Sequence, residues 1–156
     1  MSWSTSLLSR QALADMFTNI IPMDLDSDTW NLALFNNSVT PSKDDTAAAF
    51  AYNGATWGTA NEVSSSTPWP AGGVALTSKV VSTPSSGVVM FDAADPSSGA
   101  SATMSGIFGA LVYDNTLTTP VAKQGLAAIY FGGTSSVSGG VYTVVLSANG
   151  IMRITV

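Results

Sequence analysis

The stretch Trp30-Asn31-Leu32-Ala33-Leu34-Phe35 points to the fold class, because its residues alternate between two faces with the two-residue period of a β-strand. From Thr29 onward, similar short apolar runs are separated by Gly, Pro, Ser, Asn and Asp, which favour turns. Further strands are predicted at 62–63, 74–81, 88–91, 102–113, 126–131, 141–146 and 151–156. About seven strands separated by turns predict a mainly β domain over residues 29–156, an antiparallel β-sandwich or a barrel-like relative of it.

Several local signals refine this prediction. Gly106 and Gly109 interrupt the longest predicted strand, which indicates bulges or a close backbone approach. Asn149-Gly150 is a strong hairpin signal, so we expect it to join the last two strands. A short helix is predicted at 47–50, with a preceding aspartate as its cap.

Residues 4–21 have a different period. Their large apolar residues recur at three- and four-residue spacing, which predicts a helix that begins after Ser4 or Ser6, includes Leu7 and Leu8 in its stripe, and ends before Pro22. Two interpretations are open: a helix packed on its own domain, or an arm formed by residues 1–22 that docks on a neighbouring subunit. We favour the arm, and we expect the β-domain to fold without it. The candidate interface residues of the stripe are Leu13, Met16, Phe17, Ile20 and Ile21.

Composition excludes several classes of function. Five basic residues stand against ten acidic ones, a net charge of −5, so the chain has no electrostatic footprint for nucleic acid. It has no Cys and no His, the usual ligands of zinc, haem and iron–sulfur clusters, so we expect no metal and no cofactor. No apolar run approaches the ~18 residues of a membrane span. The N-terminus has no basic segment followed by an apolar one, so synthesis in the cytoplasm without a secretory signal is expected.

The segment Asp24-Leu25-Asp26-Ser27-Asp28 opens like a calcium-binding loop, with acids at positions 1, 3 and 5. Such a loop needs Gly at position 6 and a bidentate acid at position 12, where this chain has Thr29 and Phe35. A solvated acidic turn before the first strand is therefore predicted.

No pattern typical of catalysis is present. Glu62 is the only glutamate, and its possible carboxylate partners, Asp92, Asp95 and Asp114, all lie in turn-like sequence. Without His, a Ser–His nucleophile is impossible, and nothing around Ser78-Lys79 marks a strained nucleophile turn. We therefore do not expect an enzyme.

Trp57 and Trp69 lie in loop sequence and have three possible roles. Exposed loop tryptophans stack on sugars or anchor protein interfaces, and others fold back into the core. All three roles are open at this stage, and both residues are retained as interface candidates.

A series of short motifs resembles a family of small virion proteins from tailed bacteriophages, the minor capsid and head decoration proteins. The resemblance covers roughly residues 30–155 and lies in strand and turn patterns. The motifs are LALF at 32–35, TP at 40–41, AGGVAL at 71–76, FDAAD at 91–95, GALVYD at 109–114, IYFGG at 129–133 and SANGIMRIT at 147–155.

The resemblance implies a capsid decoration or cement protein on the outer surface of the virion, made in the bacterial host cytoplasm. Its partners would be the major capsid protein and further copies of itself, commonly as a homotrimer, with no nucleic acid and no membrane. Low charge and abundant Ser and Thr suit a protein present in many copies on a shell, because such a surface resists non-specific association. The alternative is a receptor- or glycan-binding module of a tail or head fibre, with Trp57 and Trp69 as stacking platforms.

Overall fold

The computed structural model describes residues 3–156, in which one α-helix, one 3₁₀ helix (Thr59–Asn61) and nine strands are formed. The elements are β1 (Leu7–Leu8), α1 (Arg10–Thr18), β2 (Trp30–Phe35), β3 (Glu62–Val63), β4 (Val74–Ala75), β5 (Val80–Ser82), β6 (Val88–Asp92), β7 (Ala102–Asp114), β8 (Gly125–Gly140) and β9 (Met152–Thr155).

The strands form two antiparallel sheets. The larger sheet has the order β1-β8-β7-β2-β3, and β4 also pairs with β2. The smaller sheet has the order β5-β6-β9. The sheets share a core in which the Trp30 ring of β2 lies 5.7 Å from the Phe91 ring of β6. The prediction of a mainly β, antiparallel, sandwich-like fold with a short N-terminal helix is therefore confirmed.

The strand β2 is buried on both of its faces. Trp30, Leu32 and Leu34 contribute to the core between the sheets. Ala33 and Phe35 face the other way, into a second core on the outer face of the larger sheet. An apolar side chain is therefore favourable at nearly every position of β2, although a half-exposed strand would carry polar residues on one face.

Trp57 lies at the centre of the second core. Its ring is 5.1 Å from Phe35, 5.4 Å from Trp3 and 5.5 Å from Phe50, each in an edge-to-face arrangement. The loop-rich segment after β2 thus folds back over the outer face of the sheet. This segment and Trp3 cover a surface that water would otherwise reach.

Gly109 makes room for Trp3. A Cβ atom at this position would lie 2.5 Å from the Trp3 ring, so the indole occupies space that a side chain on β7 would fill. The indole nitrogen of Trp3 donates a hydrogen bond to the carbonyl of Asn36 at 3.1 Å. The β7–β8 register shifts on both sides of Ile107, next to Gly106 and Gly109. The predicted bulges and close approach are thus confirmed.

The N-terminal segment packs on its own domain, so the expectation of a separate arm over residues 1–22 is wrong for the described residues 3–22. Leu7 and Leu8 form β1 and pair with Ala128 and Ala127 of β8, which corrects their assignment to a helical stripe. The Ser9 amide continues this contact by donating to the carbonyl of Leu126 at 2.8 Å. Leu8 has its backbone bound to the sheet and therefore cannot be helical.

The helix α1 begins later and ends earlier than predicted. Its N-cap is Ser9, whose hydroxyl accepts a hydrogen bond from the Ala12 amide, in place of Ser4 or Ser6. It ends at Thr18, and its C-cap Asn19, with a φ of 53°, closes the last turn before Pro22 is reached.

The buried Asp15 fixes α1 to the sheet. Its carboxylate accepts a hydrogen bond from Gln11 at 2.8 Å and another from the buried Gln124 at 3.1 Å, 109 positions away in sequence. These two amide donors satisfy a carboxylate that would be costly to bury without partners.

Other local predictions need correction. The predicted strand 74–81 is divided between the two sheets as β4 and β5, with Ser78 at a φ of 50° between them. The predicted helix 47–50 is a single turn, closed by a bond from the Phe50 amide to the Thr46 carbonyl at 2.9 Å.

The predicted hairpin at Asn149-Gly150 is wrong, although a turn does form there. The Gly150 amide bonds the Ser147 carbonyl at 2.8 Å, but β9 pairs with β6. Residues 141–146 form no strand and instead bond to residues 96–98 through isolated contacts.

Replacing Trp3 by Ala is expected to destabilise the domain by about 3–5 kcal/mol, because a large buried ring leaves a cavity in the second core. Chemical denaturation followed by circular dichroism measures this loss. The control is Thr5→Ala, at an exposed position on the same segment.

Deletion of residues 1–21 is expected to abolish cooperative unfolding. A truncated chain whose denaturation midpoint equals that of the full chain would show that the N-terminal segment is a separable arm after all.

Candidate interaction surface

The predicted apolar stripe is divided by the structure into buried and exposed residues. Ile21 is buried in the core between the sheets, whereas Leu13 and Met16 are half-buried against it. Phe17 and Ile20 are 75% and 64% exposed, which is unusual for large apolar side chains on an ordered element. The stripe thus supplies two candidate contact residues, Phe17 and Ile20.

A depression of about 440 Å³ lies beside the exposed end of α1. Its walls come from the end of the helix, the following loop and the edge strand β5. Together with Phe17 and Ile20 we call it the α1 surface. The lining residues are Met16, Asn19, Pro22, Met23, Leu25 and Val81, with Asp24 and Asp26.

The acidic loop at this surface is ordered by its own carboxylates. Asp24 accepts hydrogen bonds from the amides of Asp26 and Ser27 at 3.0 and 3.1 Å. Asp28 accepts one from the Asp24 amide at 2.7 Å. The side-chain and backbone bonds from Ser27 lower the pKa of Asp24, so this exposed group is negative at neutral pH. The predicted acidic turn is therefore present, and its acids hold the backbone of the loop.

The charge at the α1 surface has one sign. Among residues 3–156, no Lys or Arg lines the depression, while two aspartates do. No cluster of three or more His, Cys, Asp or Glu side chains in that range is arranged to hold a metal ion. The surface is therefore apolar and anionic.

Asp114 supports the acidic loop through the turn that follows β7. It is fully buried at the end of β7, and one carboxylate oxygen accepts hydrogen bonds from the amides of Thr116 and Leu117 at 2.8 and 3.3 Å. The Thr116 hydroxyl in turn accepts a hydrogen bond from the Thr29 amide at 2.7 Å, which joins this turn to the acidic loop. Burial, together with the nearby Asp28 carboxylate, raises the pKa of Asp114 to about 7.

The two loop tryptophans do not belong to any exposed surface of this chain. Trp57 and Trp69 are both fully buried. Trp69 lies in the core between the sheets, with its ring edge-to-face on Tyr142 at 5.8 Å. Their retention as interface residues was therefore wrong: each fills a core position from a loop.

Glu62 takes part in a structural network. It accepts hydrogen bonds from the Tyr52 hydroxyl at 2.8 Å and from the Gly72 amide at 2.6 Å. Burial raises the pKa of Glu62. The Tyr52 ring stacks on the Tyr113 ring with the ring centres 4.8 Å apart. The Lys123 ammonium lies 5.2 Å from the centre of the Tyr52 ring. Glu62 thus joins two loops to β2, a role that its sequence context did not indicate.

Comparisons with protein-family models, with curated proteins and with solved structures give no match, so the surface is interpreted from its own chemistry. No helix among residues 3–156 has the length and hydropathy needed to cross a membrane.

Replacing Asp114 by Asn is expected to flatten the pH dependence of stability. The ordinary pKa of this carboxyl is 3.8, and its folded value is about 7. Between these values the folded state retains a proton that the unfolded state releases, so stability falls as the pH rises from about 4 to about 7. An amide keeps the neutral form at every pH. The variant should therefore gain on the order of 1–3 kcal/mol relative to the wild type between pH 4 and pH 8.

Urea denaturation at pH 4 and at pH 8 measures the free energy of unfolding of both proteins. Asp26→Asn is the matched control, because it removes the same charge from an exposed position of the neighbouring loop. An Asp114→Asn variant with the same pH profile as the wild type would show that folding does not raise the pKa of Asp114.

Proposed function

We propose that this chain is a structural protein of a tailed-bacteriophage virion, a decoration or cement protein that binds the outer surface of the head. The observation that carries the proposal is the α1 surface, where Phe17 on the helix and Ile20 just after it stand exposed, and the helix is fixed to the β-domain. Its function would be to supply binding energy to the shell. The order of the strand and turn motifs supports the same function.

The proposed partner at the α1 surface is the major capsid protein. Burying Phe17 and Ile20 contributes roughly 1.5–3 kcal/mol each before the costs of association are subtracted. This is modest for one copy, but a shell offers many equivalent sites, so the sum over all copies is large. A rigid platform favours such binding, because little conformational freedom is lost on docking.

The glycan-binding alternative required Trp57 and Trp69 as stacking platforms. Both are enclosed by their own chain, so neither ring has a free face for a sugar. We therefore propose attachment by protein–protein contact as the single function.

Phage heads assembled without this protein provide the test. Wild-type protein is expected to co-sediment with such heads and to raise the temperature at which they disrupt. A Phe17→Ser/Ile20→Ser double variant should bind at least roughly 100-fold more weakly, because it loses the burial of both side chains. Its own melting temperature should change little, since both residues are exposed.

The matched control is Val145→Ser/Val156→Ser, which removes two valines that are 77% and 91% exposed elsewhere on the chain. It should decorate heads as the wild type does. If the Phe17→Ser/Ile20→Ser variant binds heads as tightly as the wild type, the α1 surface is not the attachment site. If wild-type protein binds no head and changes no disruption temperature, the proposed function is wrong.

A further inference from the structure

The outer side of β8 is an open strand edge. Along its length β8 pairs with β7, but on its other side β1 covers only Ala127 and Ala128. The last contact there is the bond from the Tyr130 amide to the Ser6 hydroxyl at 2.9 Å. Within the described chain, no strand lies along this side of residues 131–140. Their outward backbone groups are therefore available to another strand.

The regular part of this edge is long enough for strand pairing. Residues 131–134 bulge out, because Tyr130 faces Gly109 of β7 while Ser135 already faces Ile107. From Ser135 to Gly140 the pairing with β7 continues to Ala102. Its extended residues 135–138 span roughly 13 Å, the length of a short strand, and Gly139, with a φ of 64°, bulges before Gly140. We call residues 135–140 the β8 edge.

The β8 edge lacks most devices that keep natural strand edges apart. Such edges usually carry Lys, another charge or Pro, or they are covered by a loop. The β8 edge contains none of these residue types, and its own bulge lies near its end, at Gly139. Ser136 and Ser138 are exposed and small, so they would not obstruct an approaching strand.

Charge indicates what would occupy this edge. The chain has a net charge of −5, yet no charged residue occurs between Lys123 and Arg153. Two copies that meet at the β8 edge therefore bring no like charges together. Two copies that meet at the α1 surface would oppose Asp24 and Asp26 to their equivalents, which is unfavourable. Electrostatics thus favours a second copy at the β8 edge and a different partner at the α1 surface.

An exposed apolar residue adds to this contact. Val141 directly follows the β8 edge and is 59% exposed. In an antiparallel pair related by a two-fold axis, the end of each β8 edge lies beside the start of the other. The Val141 side chain, at that end, would therefore be partly buried by the second copy.

We propose that two copies of this chain pair through their β8 edges, antiparallel and related by a two-fold axis, so that the two larger sheets become one continuous sheet. Identical backbone groups exchange hydrogen bonds across the axis, and the Ser136 and Ser138 side chains of both copies line the junction. Such a pair closes with two copies, so it replaces the homotrimer that the resemblance implies as the state of the protein in solution.

Sedimentation equilibrium of the full chain tests this proposal. The wild type is expected to give a concentration-dependent mass that approaches twice the 16.0 kDa of one chain. A Ser138→Lys variant places two ammonium groups close together across the axis, which should weaken the dimer by roughly tenfold or more. Ser105→Lys is the matched control, because Ser105 is an equally exposed serine on β7, one strand away from the edge. It should dimerise as the wild type does.

Cross-linking provides a second readout that does not depend on a disruptive variant. The chain has no Cys, so Ser136→Cys introduces the only thiol. A short bis-maleimide linker, which spans more than a disulfide can, should join this variant into a covalent dimer within the preformed pair, whereas it should not join Ser105→Cys. Any of three results would overturn the proposal. The wild type stays monomeric, it forms a trimer, or it forms a dimer that Ser138→Lys does not weaken and that Ser136→Cys does not cross-link.

Discussion

The centre of the larger sheet is apolar on both faces, and the rest of the structure depends on covering both. In β2 and β7, adjacent residues such as Leu111 and Val112 enter different cores, so neither face of the central strands can be left in water. The smaller sheet and α1 cover one face. The segment after β2 and the indole of Trp3 cover the other. A detachable N-terminal arm is incompatible with this arrangement, because its removal would expose the aromatic cluster around Trp57.

The sequence predicted the strands whose own residues alternate and whose partners are equally regular. Thus β2 was predicted within its observed bounds, and β6 and β7 within one residue. The prediction failed where pairing with a segment that is distant in the sequence decides the structure. Residues 132–140 are rich in Gly and Ser and lie outside every predicted strand, but the backbone of β7 provides hydrogen bonds that override weak strand propensity. Residues 141–146 show the converse: they are rich in residues that favour strands, but their only backbone pairing is a few isolated contacts with residues 96–98.

The candidate site was predictable only in part, for a related reason. Helical spacing identified Phe17 and Ile20, but it could not show that Asn19 would end the helix and place Ile20 and Ile21 in opposite environments. The acids show a similar limit. Asp24, Asp95 and Glu62 each accept hydrogen bonds from backbone amides of loops, and the one ion pair within residues 3–156 is the exposed Arg10–Asp44 contact. The chain is acidic largely because its loops are held by carboxylates, and this gives the α1 surface its charge.

Two surfaces of different chemistry would allow the proposed attachment and the proposed pairing to occur independently. The α1 surface is anionic and apolar, which disfavours a second copy there, whereas the neutral β8 edge does not repel one. This would matter for the proposed binding to a shell. The proposed pair would carry two α1 surfaces, and once the first had docked, the second would bind at a high effective concentration if a neighbouring site were within reach. Modest burial at each α1 surface would then hold the protein on the shell firmly, without the large apolar patch that would make the free chain aggregate.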